Sequence, residues 1–449
     1  MSKRLGLYLS AVLLLAGSGS NAQDIYQAER QHWLDKAKDN IPALIETVKK
    51  PSGIVSLTRD AGAFQGWKAT PSIPLDAFYR HSFNKQKEVI LDFGQHLTGY
   101  FSLTIDTLVR TPDAPLRFKL TFGEVPAEIA TSYDQYNGGL SRAWLQDEVV
   151  TVMEVPAVIQ VARRTAFRYV KIELIGSSPY YDFSITNAQC KAVTAAAQYP
   201  QALATATPSL IKDIDQVGLA TLKECMQTVY EDGPKRDRRL WIGDLVLESL
   251  ANNYSFRNFS LTRRCLYLLA GLSDPNGYLY GTVFETPVPH PQGRQFLMDY
   301  ALLYNAALKE YLIASGDTQT AVDLWPVAKR QLDIIHTYLQ TDGLLDYEKA
   351  NKEWWLFFDW KNGLHKAAAL QGLAIYALKN TYDLAKVLHK ESEVKGIPVT
   401  ISKMKKAARN YFFNTKTGLI ESGDKKQVSY ASQIWMTLGG VLTVKESQK

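Results

Sequence analysis

Apolar and polar positions alternate with a period of two through much of the stretch from residue 85 to 195. Leu116, Phe118, Leu120 and Phe122 interleave with Arg117, Lys119 and Thr121, and Val170, Ile172 and Leu174 interleave with Lys171 and Glu173. Successive side chains of an extended strand point to opposite faces, so these segments predict strands with one buried face. Phe101, Leu103 and Ile105 predict a third strand, and the apolar run Val89 to Phe93 a short fourth. An antiparallel β-sandwich over residues 85–198 is the economical way to bury all four. Residues 23–84 are less legible and read as a helical or irregular region, opening with a predicted helix over Ala28 to Lys49.

After the Pro/Ala/Thr-rich stretch Pro200 to Pro208 the period lengthens. Ile211, Ile214, Gly218, Leu222, Cys225 and Val229 are three and four apart, which draws one stripe along a helix. Tyr300, Leu303, Ala307 and Tyr311 do the same, as do Ala321, Leu324, Ala328, Leu332, Ile335 and Leu339; Gly316-Asp317 between them reads as a helix stop followed by an N-cap. About eight helices follow to the C-terminus, many joined by short turns, which predicts antiparallel helical hairpins over residues 205–449. Strands followed by helices mean a β domain and a separate helical one.

With 449 residues there is ample chain for two packed units. The start changes the picture. Lys3-Arg4, the apolar run Leu5 to Ala16 and the small residues ending Ser20-Asn21-Ala22 have the order of a secretory signal peptide, so residues 1–22 are expected to be removed and the protein to be periplasmic or secreted. That run is too short to cross a bilayer, and no later one is apolar enough, so no membrane insertion is expected. Losing Lys3 and Arg4, and no acid, takes the formal charge from +6 to +4. No basic run interleaved with aromatics forms a stripe, so nucleic acid is not an expected partner. Cys190, Cys225 and Cys265 are widely spaced without a CxxC pair and read as buried thiols rather than as a disulfide or a metal site.

The chemistry concentrates between the first two helices of the second unit. The run Glu231-Asp232-Gly233-Pro234-Lys235-Arg236-Asp237-Arg238-Arg239-Leu240-Trp241-Ile242-Gly243-Asp244 alternates acids with cations. Charged loops are ordinarily solvated, with surface ion pairs of little weight. Here one Pro and two Gly imply a fixed turn, and a Trp is ill suited to a loose exposed loop. Neighbouring cations keep carboxylates ionised and oriented, while desolvation can raise one to serve as an acid.

This run resembles the signature of the bacterial alpha-L-rhamnosidases of glycoside hydrolase family 78, in which an Asp, an Arg-Asp-Glu triplet and a Trp/Gly/Asp ending occur in this order at the rim of an (α/α)6 barrel. Leu91-Asp92-Phe93-Gly94, Gly99-Tyr100, Phe122-Gly123-Glu124 and Phe167-Arg168-Tyr169-Val170 are similar to that family's β-sandwich. Asp299-Tyr300, Gly316-Asp317, Phe358-Asp359-Trp360, Ala369-Leu370-Gln371-Gly372 and Ile375-Tyr376-Ala377-Leu378 are similar to its barrel. The resemblance covers roughly residues 85 to 442 and implies an antiparallel β-sandwich followed by an (α/α)6-type helical barrel.

It further implies an inverting hydrolase that removes terminal L-rhamnose from glycosides or polysaccharides, with one carboxylic acid protonating the leaving oxygen and a carboxylate across the sugar activating water. No metal or cofactor is implied. Asp237 and Asp232 match catalytic positions. Arg236, Arg238, Trp241, Asp244, Asp299, Asp359 and Trp360 are the expected substrate-binding set, the indoles covering the apolar face of a deoxysugar; for Trp360 a plain core position is an equal reading.

Two departures stand out. Many members carry a Glu acid where this chain has Arg238, and a guanidinium cannot deliver a proton near neutral pH. A shorter Lys-Arg-Asp-Arg version recurs in the family and leaves the acid role to Asp237 or another carboxylate. The family's general base is a Glu in a late helix, beyond the segment resembled by Ser429 to Val441, and no match for it is found before Lys449. An incomplete barrel is therefore expected, with apolar helix faces exposed. A truncated product, a second chain completing the barrel and a non-catalytic carbohydrate-binding remnant each account for such a sequence. A polysaccharide lyase on the same barrel would want a Tyr/His or Asn/His pair; His290, between Pro289 and Pro291, is the best-placed histidine for it.

Overall fold

The order of elements follows the change of period. The computed structural model describes residues 24–110, 112–293 and 296–448; the expected signal peptide, residues 1–22, lies outside them. The first half runs α1 (Arg30–Asp39), β1 (Ile45–Lys49), β2 (Gly53–Arg59), β3 (Trp67–Pro71), α2 (Leu75–Phe78), α3 (Phe83–Gln86), β4 (Glu88–Val109), β5 (Leu116–Gly123), α4 (Pro126–Ala130), β6 (Asp147–Val152), β7 (Ala157–Gln160), β8 (Thr165–Gly176) and β9 (Asp182–Thr194). The second half runs α5 (Ser209–Cys225), β10 (Leu240–Trp241), α6 (Ile242–Tyr254), α7 (Phe259–Gly271), β11 (Thr282–Phe284), β12 (His290–Pro291), α8 (Met298–Ser315) and α9 (Thr318–Tyr338). It continues with α10 (Tyr347–Glu353), α11 (Ala367–Val387), α12 (Ile397–Phe412), β13 (Phe413–Asn414), β14 (Leu419–Ile420), α13 (Tyr430–Leu438) and α14 (Val444–Ser447).

β1 to β9 join one antiparallel sheet. Its spine is β4, 22 residues long, which pairs with β2, β7, β8 and β9. The register of β4 against β8 shifts between Asp92 and Leu97, where Gly94 has φ 71; such an irregularity bends a strand, and the sheet curls around its apolar side. Phe93, Phe101, Phe122 and Phe167 meet there edge to face at 5.2 to 6.4 Å. They come from the alternating positions of three strands.

Two expectations are corrected in the first 84 residues. The helix expected over Ala28 to Lys49 ends at Asp39, and Ile45–Lys49 is instead β1, laid against Cys190–Thr194 of β9. Pro42 explains the stop, since a proline turns the preceding residue, Ile41, away from helical backbone. β2 and β3 also lie in this stretch, so strands of the sheet begin at residue 45 rather than 85. α1 itself packs against α7 of the helical half. Arg30 fixes it there by donating to the carbonyl oxygens of Gly271, Ser273 and Asp274, the first of them 241 residues away.

The helical half is built of hairpins. Gly316, at φ 73, caps the end of α8, and Asp317 accepts the Thr320 amide at 3.1 Å to start α9, as the Gly-Asp pair predicts. α8 is buried almost all round between α6, α9 and α11. The stripe is helical as expected from Ile211 to Cys225, but α5 ends there, so Val229 lies beyond it; only the C-terminal end is covered, Leu222 and Cys225 being buried while Ile211 and Ile214 are 48% and 60% exposed. Leu247 and Tyr254 of α6 and Tyr430 and Ile434 of α13 are exposed as well. The three cysteines are buried and free, as expected.

The contact of α11 with α13 is made through backbone. A Cβ on Gly372 would lie 2.5 Å from the Trp435 carbonyl carbon. Gly372→Ala is expected to lower the urea unfolding free energy by about 1–3 kcal/mol, the usual cost of overpacking. Gly218 in α5 has open space, and Gly218→Ala is expected to raise it by up to about 1 kcal/mol. Circular dichroism in urea checks both signs.

Candidate active site

The charged run forms a closed loop between α5 and α6. Asp232 donates its amide to the Arg239 carbonyl oxygen at 3.1 Å, and the Arg239 amide returns to Asp232 Oδ1 at 3.2 Å. Within it Arg238 N donates to Arg236 O at 2.8 Å, a three-residue turn with Asp237 at its tip. Asp237 and Arg238 have φ 60 and 55. Left-handed backbone costs residues other than glycine of order 1–3 kcal/mol each, so such a pair persists only when its surroundings enforce it.

The loop leads through β10 into α6. Gly243 is required at the start of that helix: a Cβ there would lie 2.5 Å from Tyr300 Cζ. Tyr300 meets Trp241 edge-on at 6.1 Å and Phe357 at 6.1 Å, and Phe357 meets Trp360 at 4.9 Å. These four rings make a row beside the loop.

Burial raises the Asp232 carboxyl to about 7, with Asp237 and Asp244 adding repulsion. Burial also raises Asp244, again with a contribution from Asp237. One turn further along α6, burial and then Asp244 hold Glu248 protonated well above the ordinary glutamate range. Asp232, Asp237 and Asp244 thus form one electrostatic cluster. Arg239 lies 3.6 Å from Asp237, donates to Gln292 Oε1 at 2.5 Å and stacks over the Phe284 ring at 4.5 Å. His290 stacks on Phe284 at 4.9 Å. Its Nδ1 lies 2.7 Å from the Val288 carbonyl oxygen, so that ring nitrogen is engaged with backbone. Trp241 Nε1 and Arg239 Nε are buried with no hydrogen-bond partner among the described residues.

Several expected residues fall elsewhere. Arg238 turns toward the β domain, its guanidinium 3.5 Å from Gln146 Oε1 and from the Lys235 carbonyl oxygen. Burial and the neighbouring Arg164 lower it to about 10. Asp299 is 3% exposed and accepts the amides of Phe357 and Phe358 at 3.2 and 3.1 Å. It anchors the aromatic loop instead of reaching outward. Asp359 is exposed and accepts the Lys361 amide in its own turn at 3.1 Å, away from the acidic cluster. Trp360 is 75% exposed at the end of the aromatic row, so the plain core reading does not hold. The Arg236 side chain has no hydrogen bond or ion pair among the described residues. Sequence reasoning missed Arg239, Tyr300 and Phe357 as parts of the site, although each adjoins a residue it named.

Residues 51–192 match the glycosyl hydrolase family 78 alpha-rhamnosidase N-terminal domain, and residues 203–441 match the bacterial alpha-L-rhamnosidase 6 hairpin glycosidase domain. The chain belongs to the bacterial alpha-L-rhamnosidase family. It is accordingly a glycosidase, with the β domain followed by a six-hairpin-type helical domain that the resemblance implied. A rhamnosidase from Klebsiella oxytoca, solved with rhamnose bound, is 37% identical with a TM-score of 0.88, the match covering 93% of this chain and 80% of that one. The family 78 rhamnosidase of Bacillus sp. GL1 (17% identity, TM-score 0.65) is matched over 80% of this chain and 36% of its own. The Streptomyces avermitilis alpha-L-rhamnosidase complexed with L-rhamnose (15%, 0.60) is matched over 91% and 34%. These last two share the fold. No curated protein matches the chain.

In this family member Asp299 offers a pH test of the loop anchor. Burial raises its carboxyl to about 6, above the unfolded value of about 3.9. The stability it contributes is present below the unfolded value and is lost as pH rises through about 6. Urea midpoints measured from pH 4 to 8 are expected to fall across that window in the wild type, and to fall less in Asp299→Asn. Equal slopes would show that Asp299 is not the group responsible.

Proposed function

We propose that this protein removes terminal L-rhamnose from glycosides or polysaccharides by an inverting displacement, as an exported enzyme of the periplasm or the medium. The observation that carries the reading is the acidic cluster of Asp232, Asp237 and Asp244 with Arg239 and with Trp241 Nε1, which has no partner among the described residues, beside an aromatic row. Carboxylates and guanidinium groups grip sugar hydroxyls in pairs, and rings cover the apolar face of a deoxysugar. The Klebsiella relative, solved with rhamnose bound, names the sugar. Asp237, at the tip of the turn, delivers to the leaving oxygen a proton that it receives from Asp232, which burial keeps protonated up to about pH 7. Export rests on residues 1–22.

The exposed apolar faces of α5, α6 and α13 belong to the same proposal. Further helices pack on them to complete the ring and bring the carboxylate that activates water. Carbohydrate binding without cleavage is the second reading, favoured by Arg238 at the position where many members carry the acid.

The test is hydrolysis of para-nitrophenyl alpha-L-rhamnoside, with calorimetric titration of L-rhamnose into the same sample. Asp237→Asn is expected to lower kcat by about 10²–10⁴-fold, the range for a general acid, while L-rhamnose still binds. In the wild type kcat/KM is expected to fall above about pH 7 as Asp232 ionises, and Asp232→Asn removes that limb. Binding with no turnover, with or without a ring-completing partner, would sink the hydrolase reading in favour of the second.

A further inference from the structure

The β domain holds the catalytic loop at three points. One guanidinium nitrogen of Arg164 lies 2.6 and 2.7 Å from the two carboxylate oxygens of Glu231, at the start of the loop. Lys235, in the middle, donates to Glu124 Oε2 at 3.2 Å and to Glu128. Arg238, past the tip, reaches Gln146, itself fixed in the sheet by two bonds to Ala166 of 2.7 and 2.8 Å. Lys235 and Arg238 both lie between the closing pair, Asp232 and Arg239, and of these Lys235 is the one on the approach to the turn, two residues before Asp237.

The acids that meet Lys235 are themselves fixed. Glu128, in the first turn of α4, accepts the Glu124 amide at 2.8 Å, which sets the two carboxylates side by side. Glu124 also bonds His96 at 3.0 Å. Burial would raise the Glu124 carboxyl, yet His96 and Lys235 together hold it below the ordinary glutamate value. Side-chain exposures of 21% for Lys235 and 19% for Glu128 set this network apart from a solvated surface pair.

We infer that Lys235 is a positioning residue, and that Glu124 and Glu128 of the β domain act through it to hold Asp237 and Arg238 in left-handed backbone. Two strained residues in succession relax toward ordinary φ unless both flanks are tied. The flank after the tip is tied by Arg239, through Gln292 and the Phe284 ring, and the flank before it by Lys235. Releasing Lys235 moves Asp237 relative to Asp232 and Asp244, and misplacement by about 1 Å costs a reaction about 10²-fold. Binding of the sugar by the other cluster members is left largely intact. The kinetic consequence rests on the hydrolysis proposed above; the structural one does not.

The test uses Lys235→Met, Lys235→Arg, the pair Glu124→Gln with Glu128→Gln, and all three changes Lys235→Met, Glu124→Gln and Glu128→Gln together. Steady-state kinetics on para-nitrophenyl alpha-L-rhamnoside and hydrogen exchange of amides 232–239 are read for each. Lys235→Met is expected to lower kcat about 10–100-fold with KM within about threefold, and to speed exchange of the loop while α8 and α11 keep their protection. Lys235→Arg restores most of kcat, because a guanidinium spans the same two acids. The triple variant is expected to fall no further than Lys235→Met, since residues acting along one route are not additive. Unchanged loop exchange in a folded Lys235→Met protein would overturn the inference, as would losses that simply add. A wild type without turnover fails the hydrolase reading alone, and loop exchange then decides this one.

Discussion

Burying several carboxylates in one small loop is the constraint around which this structure is arranged. Each acid taken out of water gains a proton or needs a partner, and repulsion among neighbours worsens the balance. Here the solutions differ by position. Glu231, almost fully buried, takes Arg164 from the sheet. Asp232 and Glu248 hold protons. Asp237 is left to Arg239, which lies over the Phe284 ring. The β domain is thus more than a neighbour of the helical one, since it supplies counter-charges to the loop.

The same logic explains the start of α6. A ring can lie against a helix only where the helix has no side chain, and Gly243 provides that gap for Tyr300. Tyr300 then carries the aromatic row toward Phe357, whose amide is gripped by Asp299. A buried acid, a glycine and two rings from three segments are therefore one unit, and it sets where a sugar-sized ligand finds an apolar wall.

Much of this was legible in the chain. Period-two alternation located β5, β8 and the Phe101–Ile105 part of β4 because each buries one face; Val89 to Phe93, read as a separate strand, is the start of the same β4, and β9 was not read, while the Gly316-Asp317 pair marked a helix boundary by backbone chemistry alone. β1 was missed since four of its five residues are exposed, so no alternation records it; only pairing with β9 makes it a strand. Pro42 was a local signal for the end of α1 that the helical pattern obscured. In the site, residue types and spacing identified the acidic cluster, but not which guanidinium faces it. That choice depends on the sign of φ at Asp237 and Arg238, and non-glycine residues give no hint of it. Asp299 was named through the family resemblance, whereas its partners are backbone amides nearly sixty residues away, which no side-chain pattern encodes.

The docking of α1 has a consequence for how the molecule is made. Its guanidinium anchor meets carbonyl groups 241 residues later in the chain, so α1 has no partner until the segment Gly271 to Asp274 has reached it. Through that interval Trp33, which ends fully buried, is exposed on a short amphipathic segment. The completed sheet emerges in between, and α1 must return across it to close the helical core. Folding of the two halves is thereby ordered in time, the β domain first and the core that contains its own N-terminal helix last.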